Sequence, residues 1–472
     1  MGRCPAVDDF NFSYLAFLSK MTSAVAKKDY KVRISNQQIL SMAMPICLAI
    51  LVPQINFITN NIFLGHLSQQ ALAVAGITGV YYLIFAVIGN GLNNGLQALI
   101  ARRAGEDRIS EIGKLFAQGI RIALVIAAFG IVLTYFIAPW IMKWSMKSAT
   151  LRIQAVQFLK IRIWGLPFLY IYQLRNALLV GTNQSKYLVY GTLAETITNI
   201  LLDYGFIFGH WGLPVLGFNG AAFASVAAEA AGMIVVFVVI NIQGISKSLQ
   251  LYQNFRFDPV TARLILTQSA PLIFQFAASI ISWEYFYILI EHHGEQDLAI
   301  SNTMRNIFGM FGAFTWAFAS TTNAMVSNVI GQGKKDVVIV LIRKIMKLSM
   351  SFAVIVAALL NLFPSSFLSI YGQNQEFVQA AIPVIRVVST ALIMMSFATV
   401  WLNAVTGTGN TQVNLGIELI TIFFYCAYVY LILGYWNLPI LYGWMSEWLY
   451  WAITFSLAFA YMRSGRWKKK II

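Results

Sequence analysis

Ala98-Leu-Ile-Ala-Arg-Arg-Ala-Gly105 and Ala324-Met-Val-Ser-Asn-Val-Ile-Gly331 begin and end on the same residue types, 226 positions apart. The same offset places Pro45 on Pro271, Leu72-Ala73 on Leu298-Ala299, Gly181-Thr182 on Gly407-Thr408 and Gly217 on Gly443. One register that holds over most of the chain marks an internal duplication. When each copy carries several long apolar segments, the duplication reads as two membrane bundles packed face to face, with a solute passing between them.

Of 472 residues, 58% are hydrophobic and 11% charged, which leaves too little polar surface for a soluble globule of this size. Segments 120–140, 155–180 and 348–367 approach or exceed the roughly 20 residues that cross about 30 Å of hydrocarbon as helix. Twelve spans are predicted, at 39–64, 76–100, 116–141, 155–180, 187–208, 218–242, 265–290, 303–330, 346–368, 380–406, 412–434 and 439–462. The expected fold is therefore all-α and polytopic, with twelve transmembrane helices in two pseudo-symmetric six-helix bundles. Its parts are a cytoplasmic arm 1–38, an N-lobe 39–242, a cytoplasmic linker 243–264, a C-lobe 265–462 and a basic tail 463–472.

The net charge of +15 follows topology and does not form a nucleic-acid face. Lys27, Lys28, Lys31 and Arg33 precede span 1, and Arg102, Arg103, Arg108 and Lys114 join spans 2 and 3. Lys334, Lys335, Arg343, Lys344 and Lys347 join spans 8 and 9, and Arg463, Arg466 and Lys468 to Lys470 close the chain. All fall on one side of a twelve-span chain, against chiefly Lys143, Lys147 and Arg152 on the other. The positive-inside rule then makes both termini cytoplasmic in an inner or plasma membrane. Six spans per copy make the two copies parallel. Residues 1–30 lack the apolar run of a secretory signal, and Met21 offers an alternative start. Cys4, Cys47 and Cys426 suggest no disulfide framework.

Connections between spans are short, and no G-x-x-x-x-G-K-[ST] loop is present, so neither ATP nor any other cofactor is expected. His66, His210, His292 and His293 lack metal-ligand spacing with helical carboxylates. Gly89, Gly91 and Gly95 lie inside an apolar helix and favour close helix packing over phosphate binding. Asn11-Phe-Ser13 and Asn183-Gln-Ser185 match the glycosylation pattern on the cytoplasmic side and are set aside.

Charge inside the membrane costs roughly 2.5–3.5 kcal/mol per carboxylate, so each one needs a partner, water or a task. The candidates are Glu195, Asp203, Glu229, Glu284, Glu418 and Glu447. Glu195, Asn199 and Asp203 follow at i, i+4 and i+8 along one face of span 5. Asp203 falls in its outer half, and the alternative to function is pairing with an interior Arg or snorkelling toward His210. Glu284 lies among Trp283, Tyr285 and Tyr287, beyond Pro271. A carboxylate with aromatic neighbours suits an organic cation, and Trp283 and Tyr287 would add cation–π attraction; pairing with Arg305 or Arg386 is the alternative. Glu195, Glu418 and Glu447 lie nearer span ends, where interfacial solvation suffices. Arg121, Lys160, Arg162 and Arg175 are expected to snorkel.

Several stretches together resemble the MATE (multidrug and toxic compound extrusion) family. They are Pro45, Phe57-Ile-Thr-Asn60-Asn-Ile-Phe-Leu-Gly65, Ala71-Leu-Ala-Val-Ala-Gly76, Ala98 to Gly105, Gly181-Thr-Asn, Asn199-Ile-Leu-Leu-Asp203-Tyr-Gly-Phe-Ile-Phe-Gly209 and Gly217-Phe-Asn-Gly-Ala-Ala-Phe-Ala-Ser225. Asn328-Val-Ile-Gly331 and Thr406-Gly-Thr-Gly409 echo them in the second copy. The resemblance implies secondary active export of organic, often cationic compounds in exchange for protons or sodium. It further implies a cation site in the N-lobe at Asn199 and Asp203, with Ser225 at the hydroxyl position. Asn60 stands where prokaryotic members have an Asp, and Ser279 where several members have a span 7 Glu. Glu284 resembles a second Glu of eukaryotic members, and span 10 lacks a carboxylate that some members have.

The sequence thus predicts an alternating-access exporter and not an enzyme. Its coupling residues would be Asp203, Asn199, Asn60, Ser225 and Glu195, its coupling ion H+ or Na+, and sodium would sit at Asp203 and Asn199. Glu284, Trp283 and Tyr287 would bind small cationic or amphipathic substrates. The expected partners are membrane lipid and no nucleic acid, with the chain a monomer. The rivals are a lipid-linked oligosaccharide flippase, which would need a cationic cavity, a major-facilitator transporter, whose loop between spans 2 and 3 does not match residues 101–108, and a polytopic membrane enzyme.

Overall fold

The Ser35 hydroxyl accepts from the Gln38 N–H and caps the first helix, the kind of N-terminal partner that an otherwise orphaned backbone donor needs. The computed structural model describes residues 30–472 apart from 147, 254–255, 371–373 and 471. The expectations for Met21, Cys4, Lys27, Lys28, Asn11 to Ser13 and Lys147 lie outside the described residues.

Twelve long helices follow in chain order. The first six are α1 (Asn36–Leu67), α2 (Gln69–Gly105), α3 (Ile109–Ser145), α4 in two pieces (Ala149–Arg162 and Leu166–Gly181) joined by the 3-10 turn Ile163–Gly165, α5 (Leu188–Phe208) and α6 (Phe218–Ile242). The second six are α7 (Pro259–Glu291), α8 (Glu295–Gly331), α9 (Val338–Leu362), α10 (Gln375–Gly407), α11 (Thr411–Val429), which runs on into the π-turn Tyr430–Tyr435, and α12 (Ser446–Arg463). The all-α fold and the two sets of six match the expectation.

Among the described residues, eight helices are long and apolar enough to cross a membrane: α1, α2, α3, α6, α7, α9, α10 and α11. The other four carry buried polar groups, namely Arg175 on α4, Asp203 on α5, Asn323 and Asn328 on α8 and Glu447 on α12. Most boundaries depart from expectation: α2 and α3 start seven residues before the predicted 76 and 116, α8 and α9 eight before 303 and 346, and α12 seven after 439. Span 4 is broken, and α7 starts at Pro259, six residues before the predicted 265, because Asp258 caps it by accepting from the N–H groups of Val260 and Thr261.

The two duplicated stretches quoted above meet each other. Gly105 lies so close to α8 that a Cβ would fall 2.0 Å from the Asn328 carbonyl oxygen, and one on Gly331 would fall 2.3 Å from that of Arg102. Only glycine lets two backbones approach in this way. Around this crossing Arg102, 4% exposed, donates to the carbonyls of Ser327 at 3.0 Å and of Gly407 and Thr408 at 3.3 Å. Ser327 donates back to Ala98 O, Asn323 to Asn94 O and Gln97 to Ser320 O. The extended segment before α1 is clamped as well, Asn328 and Gln332 bonding the main chain of Tyr30 and Val32.

This seam lies at the end that carries the basic connections. The apolar core there is continuous across both sets of six, from Leu99 and Ile100 to Val326 and Val405. Toward the other end, the far half of the second set has a separate core around Phe286, Leu392 and Trp444. There the far half of α1 and the near half of α2 leave Ile55, Phe57, Ile58, Val80 and Ile84 more than half exposed. The two halves thus share one core at the basic end, while the far half of the second set packs around a core of its own.

Candidate functional site

α1 and α5 start from the same end and run side by side, and one polar rung joins them: Asn56 Nδ2 donates to Asn199 Oδ1 at 2.7 Å. One helical turn farther along each helix stand Asn60 and Asp203. Asp203 is 1% exposed, and neither carboxylate oxygen has a hydrogen-bond partner among the described residues. Asn56 Oδ1 and Asn60 Oδ1 are likewise buried and unpartnered. Buried polar atoms without partners are costly in a finished core, and on these two helices they include the Asn199 Nδ2 donor as well as these four oxygens. Asp203 neither pairs with an arginine nor reaches His210, which stacks on Tyr204 at 4.2 Å.

Deeper in the first set of helices lies an ion pair. Arg162 Nη2 meets Glu229 Oε1 at 2.5 Å and Nη1 meets Oε2 at 2.9 Å, with side chains 14% and 6% exposed. The guanidinium lies over the Tyr82 ring at 3.8 Å, and its Nη1 donates to the Tyr82 hydroxyl. The break in α4 makes this possible. Arg162 ends the first piece, and a Cβ on Gly165 would sit 2.1 Å from Glu229 Oε2. Arg162 therefore does not snorkel. Arg175 does not either; it is buried and donates to the Met233 carbonyl. Glu195 is half-buried and backs onto Gly232, where a Cβ would come within 3.0 Å of its own. Ser225 is half-buried on α6.

In the second set, Glu418 and Glu447 are 1% and 5% exposed, so interfacial solvation does not account for them. Glu418 Oε1 accepts from Ser279 at 2.5 Å and from the Tyr450 hydroxyl, and Gln275 Nε2 stands 3.5 Å from Oε2. Glu447 accepts from Trp451 Nε1 at 3.0 Å. Ser279 is thus hydrogen-bonded to a glutamate from another helix. Glu284 is exposed and pairs with neither Arg305 nor Arg386 among the described residues. Trp283 and Tyr287 pack on each other and not around Glu284, Tyr287 spending its hydroxyl on the Ser301 carbonyl. Arg305 lies over the Tyr287 ring at 5.1 Å.

The MatE family model matches residues 45–205 and again 271–432, so its two copies start on Pro45 and Pro271, in the register of the internal repeat. The chain belongs to the MatE family. Members of this family are membrane transporters and not enzymes. Among relatives, the probable multidrug resistance protein NorM of Synechocystis sp. is 30% identical over 194 residues, 41% of this chain and 42% of that protein. The NorM of Thermotoga maritima is 22% identical over 442 residues, 92% of this chain and 94% of that one. Among solved structures, a MATE in complex with MaL6 superposes with a TM-score of 0.85 at 15% identity, over 92% of this chain and 97% of that one. A mutant of the Vibrio cholerae MATE transporter VcmN gives 0.84 at 16%, over 92% and 98%. An outward-facing multidrug resistance MATE family transporter gives 0.82 at 16%, over 92% and 96%.

Within this MatE fold the Asn56, Asn60, Asn199 and Asp203 oxygens are hard donors, suited to a proton on the carboxylate or to a small alkali cation. Among the described residues no group of three or more His, Cys, Asp or Glu side chains could hold a metal ion. Sequence reasoning missed Asn56, whose signal was its position one turn before Asn60. It also missed the partners of Arg162 and of Glu418, which come from other helices.

Proposed function

We propose that this MatE protein exports small organic compounds, chiefly cationic or amphipathic ones, in exchange for an inward-moving proton or sodium ion. The observation that carries the reading is the pair of buried, unpartnered Asp203 oxygens, with unpartnered Asn56 and Asn60 oxygens on the helix packed beside it. A positive guest there satisfies groups that are otherwise orphaned, so it stabilises whichever conformation buries them, and an ion drives transport only through such a difference between states. With both termini cytoplasmic, as the basic connections favour, the end opposite the seam faces outward and the ion enters from outside. Ser225 and Glu195 are assigned supporting roles near Asp203, and exposed Glu284 the attraction of cationic substrates.

The test uses the purified full chain in liposomes, with efflux of a fluorescent organic cation followed under a proton gradient or a sodium gradient alone. Wild-type protein responds to one of the two, and Asp203→Asn loses that response while still binding the dye. Gradient-driven efflux at the wild-type rate in Asp203→Asn overturns the assignment. Reporter fusions after Lys247 and Lys470 check the orientation, and an external reading at either reverses it.

A further inference from the structure

Glu418 takes no part in the reading above, yet it is one of the most deeply buried carboxyl groups in the molecule, 1% exposed in the middle of the second helical set. Its hydrogen bonds can be counted. The Ser279 hydroxyl meets three oxygens, the Gln275 carbonyl at 2.9 Å, Glu418 Oε1 at 2.5 Å and the Tyr450 hydroxyl, which carries a hydrogen of its own. A serine owns one hydrogen. If that hydrogen goes to the Gln275 carbonyl, as i to i−4 geometry on α7 favours, the contact with Glu418 needs a second hydrogen. Glu418 is the group that can supply it, by being a neutral carboxylic acid. Tyr450 donates to the same Oε1 whether or not the acid carries its proton.

The surroundings agree. From α7 only the uncharged Gln275 and Ser279 reach Glu418, and from α12 Tyr450, with Glu447 one turn behind it. Among the described residues, no Lys, Arg or His is a partner of Glu418, and α10 contributes no charged group to its partners. The contrast is Glu229, which has Arg162 as its counter-ion. An isolated buried carboxylate without a cation is neutralised by the cheapest means at hand, which is a proton.

We infer that Glu418, held by Ser279 and Tyr450, is a second, proton-binding site in the half of the molecule opposite Asp203. Binding and release are a hydroxyl rotation. With the proton present, Glu418 donates to Ser279, which donates to the Gln275 carbonyl. When the proton leaves, Ser279 turns its hydrogen to the carboxylate, and the Gln275 carbonyl loses its side-chain donor at a point on α7 one turn past Pro271. The site therefore links a proton to the local bonding of the helix that packs against α2 across the seam.

Infrared difference spectroscopy of the purified full chain, titrated in pH, reads this directly, because a neutral carboxylic acid has a carbonyl stretch apart from those of carboxylates and amides. Wild-type and Asp203→Asn proteins both show such a band at neutral pH that Glu418→Gln lacks. Tyr450→Phe removes a donor to the anion, so the band persists to a pH higher by about one unit. Identical spectra for wild type and Glu418→Gln across the titration overturn the inference. Should Glu418→Gln fail to fold, Ser279→Ala carries the same test: the band must change frequency when the acid loses its acceptor, and an unchanged band overturns the site. The readout is vibrational, so the failure of Asp203 as a coupling residue leaves it standing, and the reverse.

Discussion

Arg162 and Glu229 meet through two hydrogen bonds, 67 residues apart in the chain and within a bundle that offers neither of them bulk water. Removing one partner strands the other charge, which costs about 3–5 kcal/mol, whereas replacing both with apolar groups of similar volume is close to neutral. Glu229→Gln and Arg162→Met should each lower thermal stability sharply in detergent, and the double variant Arg162→Met with Glu229→Leu should recover most of it. Additive losses in the double variant would mean that the two do not act as a pair.

Gly165 is the space in which that pair sits. Gly165→Ala puts a methyl 2.1 Å from Glu229 Oε2, and overpacking of this kind costs about 1–3 kcal/mol. Gly416→Ala is the control, since a Cβ there meets nothing within 4 Å and helix propensity alone predicts a gain of up to about 1 kcal/mol. Melting curves of the two variants moving in the same direction would sink the argument.

Near Asp203, Asn60→Asp adds a carboxylate on the helix packed beside α5. In the Asp203→Asn background it should restore ion-driven efflux, because the oxygen set again holds one charge. The same change in wild type should raise the number of ions moved per substrate. Reversal-potential measurements in liposomes give that ratio, and an unchanged ratio argues against Asn60 as a ligand.

The seam can be pried apart from the basic end. Gly331→Val forces side-chain atoms into the Arg102 carbonyl, so spin labels at Lys114→Cys and Lys347→Cys, in a background with Cys4, Cys47 and Cys426 replaced by Ser, should separate and transport should cease. Wild-type distances in the variant would show that the backbone contact is dispensable.

Fold and site differ in how far they could be read from residues alone. The repeat, the twelve apolar segments and the charge asymmetry are periodic or cumulative signals, and the helices follow them in number and order. That Asn199 and Asp203 share a face could be read because both lie on one helix, four residues apart. Arg162 with Glu229, and Glu418 with Ser279 and Tyr450, could not. Their partners come from separate helices, up to 139 residues away, and no spacing rule relates them. Nearness to a span end suggests interfacial solvation for Glu447, but the neighbouring Trp283 and Trp451 bury it. Arg162 was read as snorkelling because a continuous span 4 was assumed, and the 3-10 turn that redirects it has no strong local cue.

The donors at the seam, Arg102, Gln97, Asn323, Ser327, Asn328 and Gln332, all reach main-chain carbonyls of the other half or of the segment before α1. Every residue type offers that acceptor, so substitutions at the receiving positions need no matching change at the giving ones. The two halves can therefore drift apart in sequence while their joint is kept, and a half taken from a distant relative should dock here, provided that it brings glycine to the crossing.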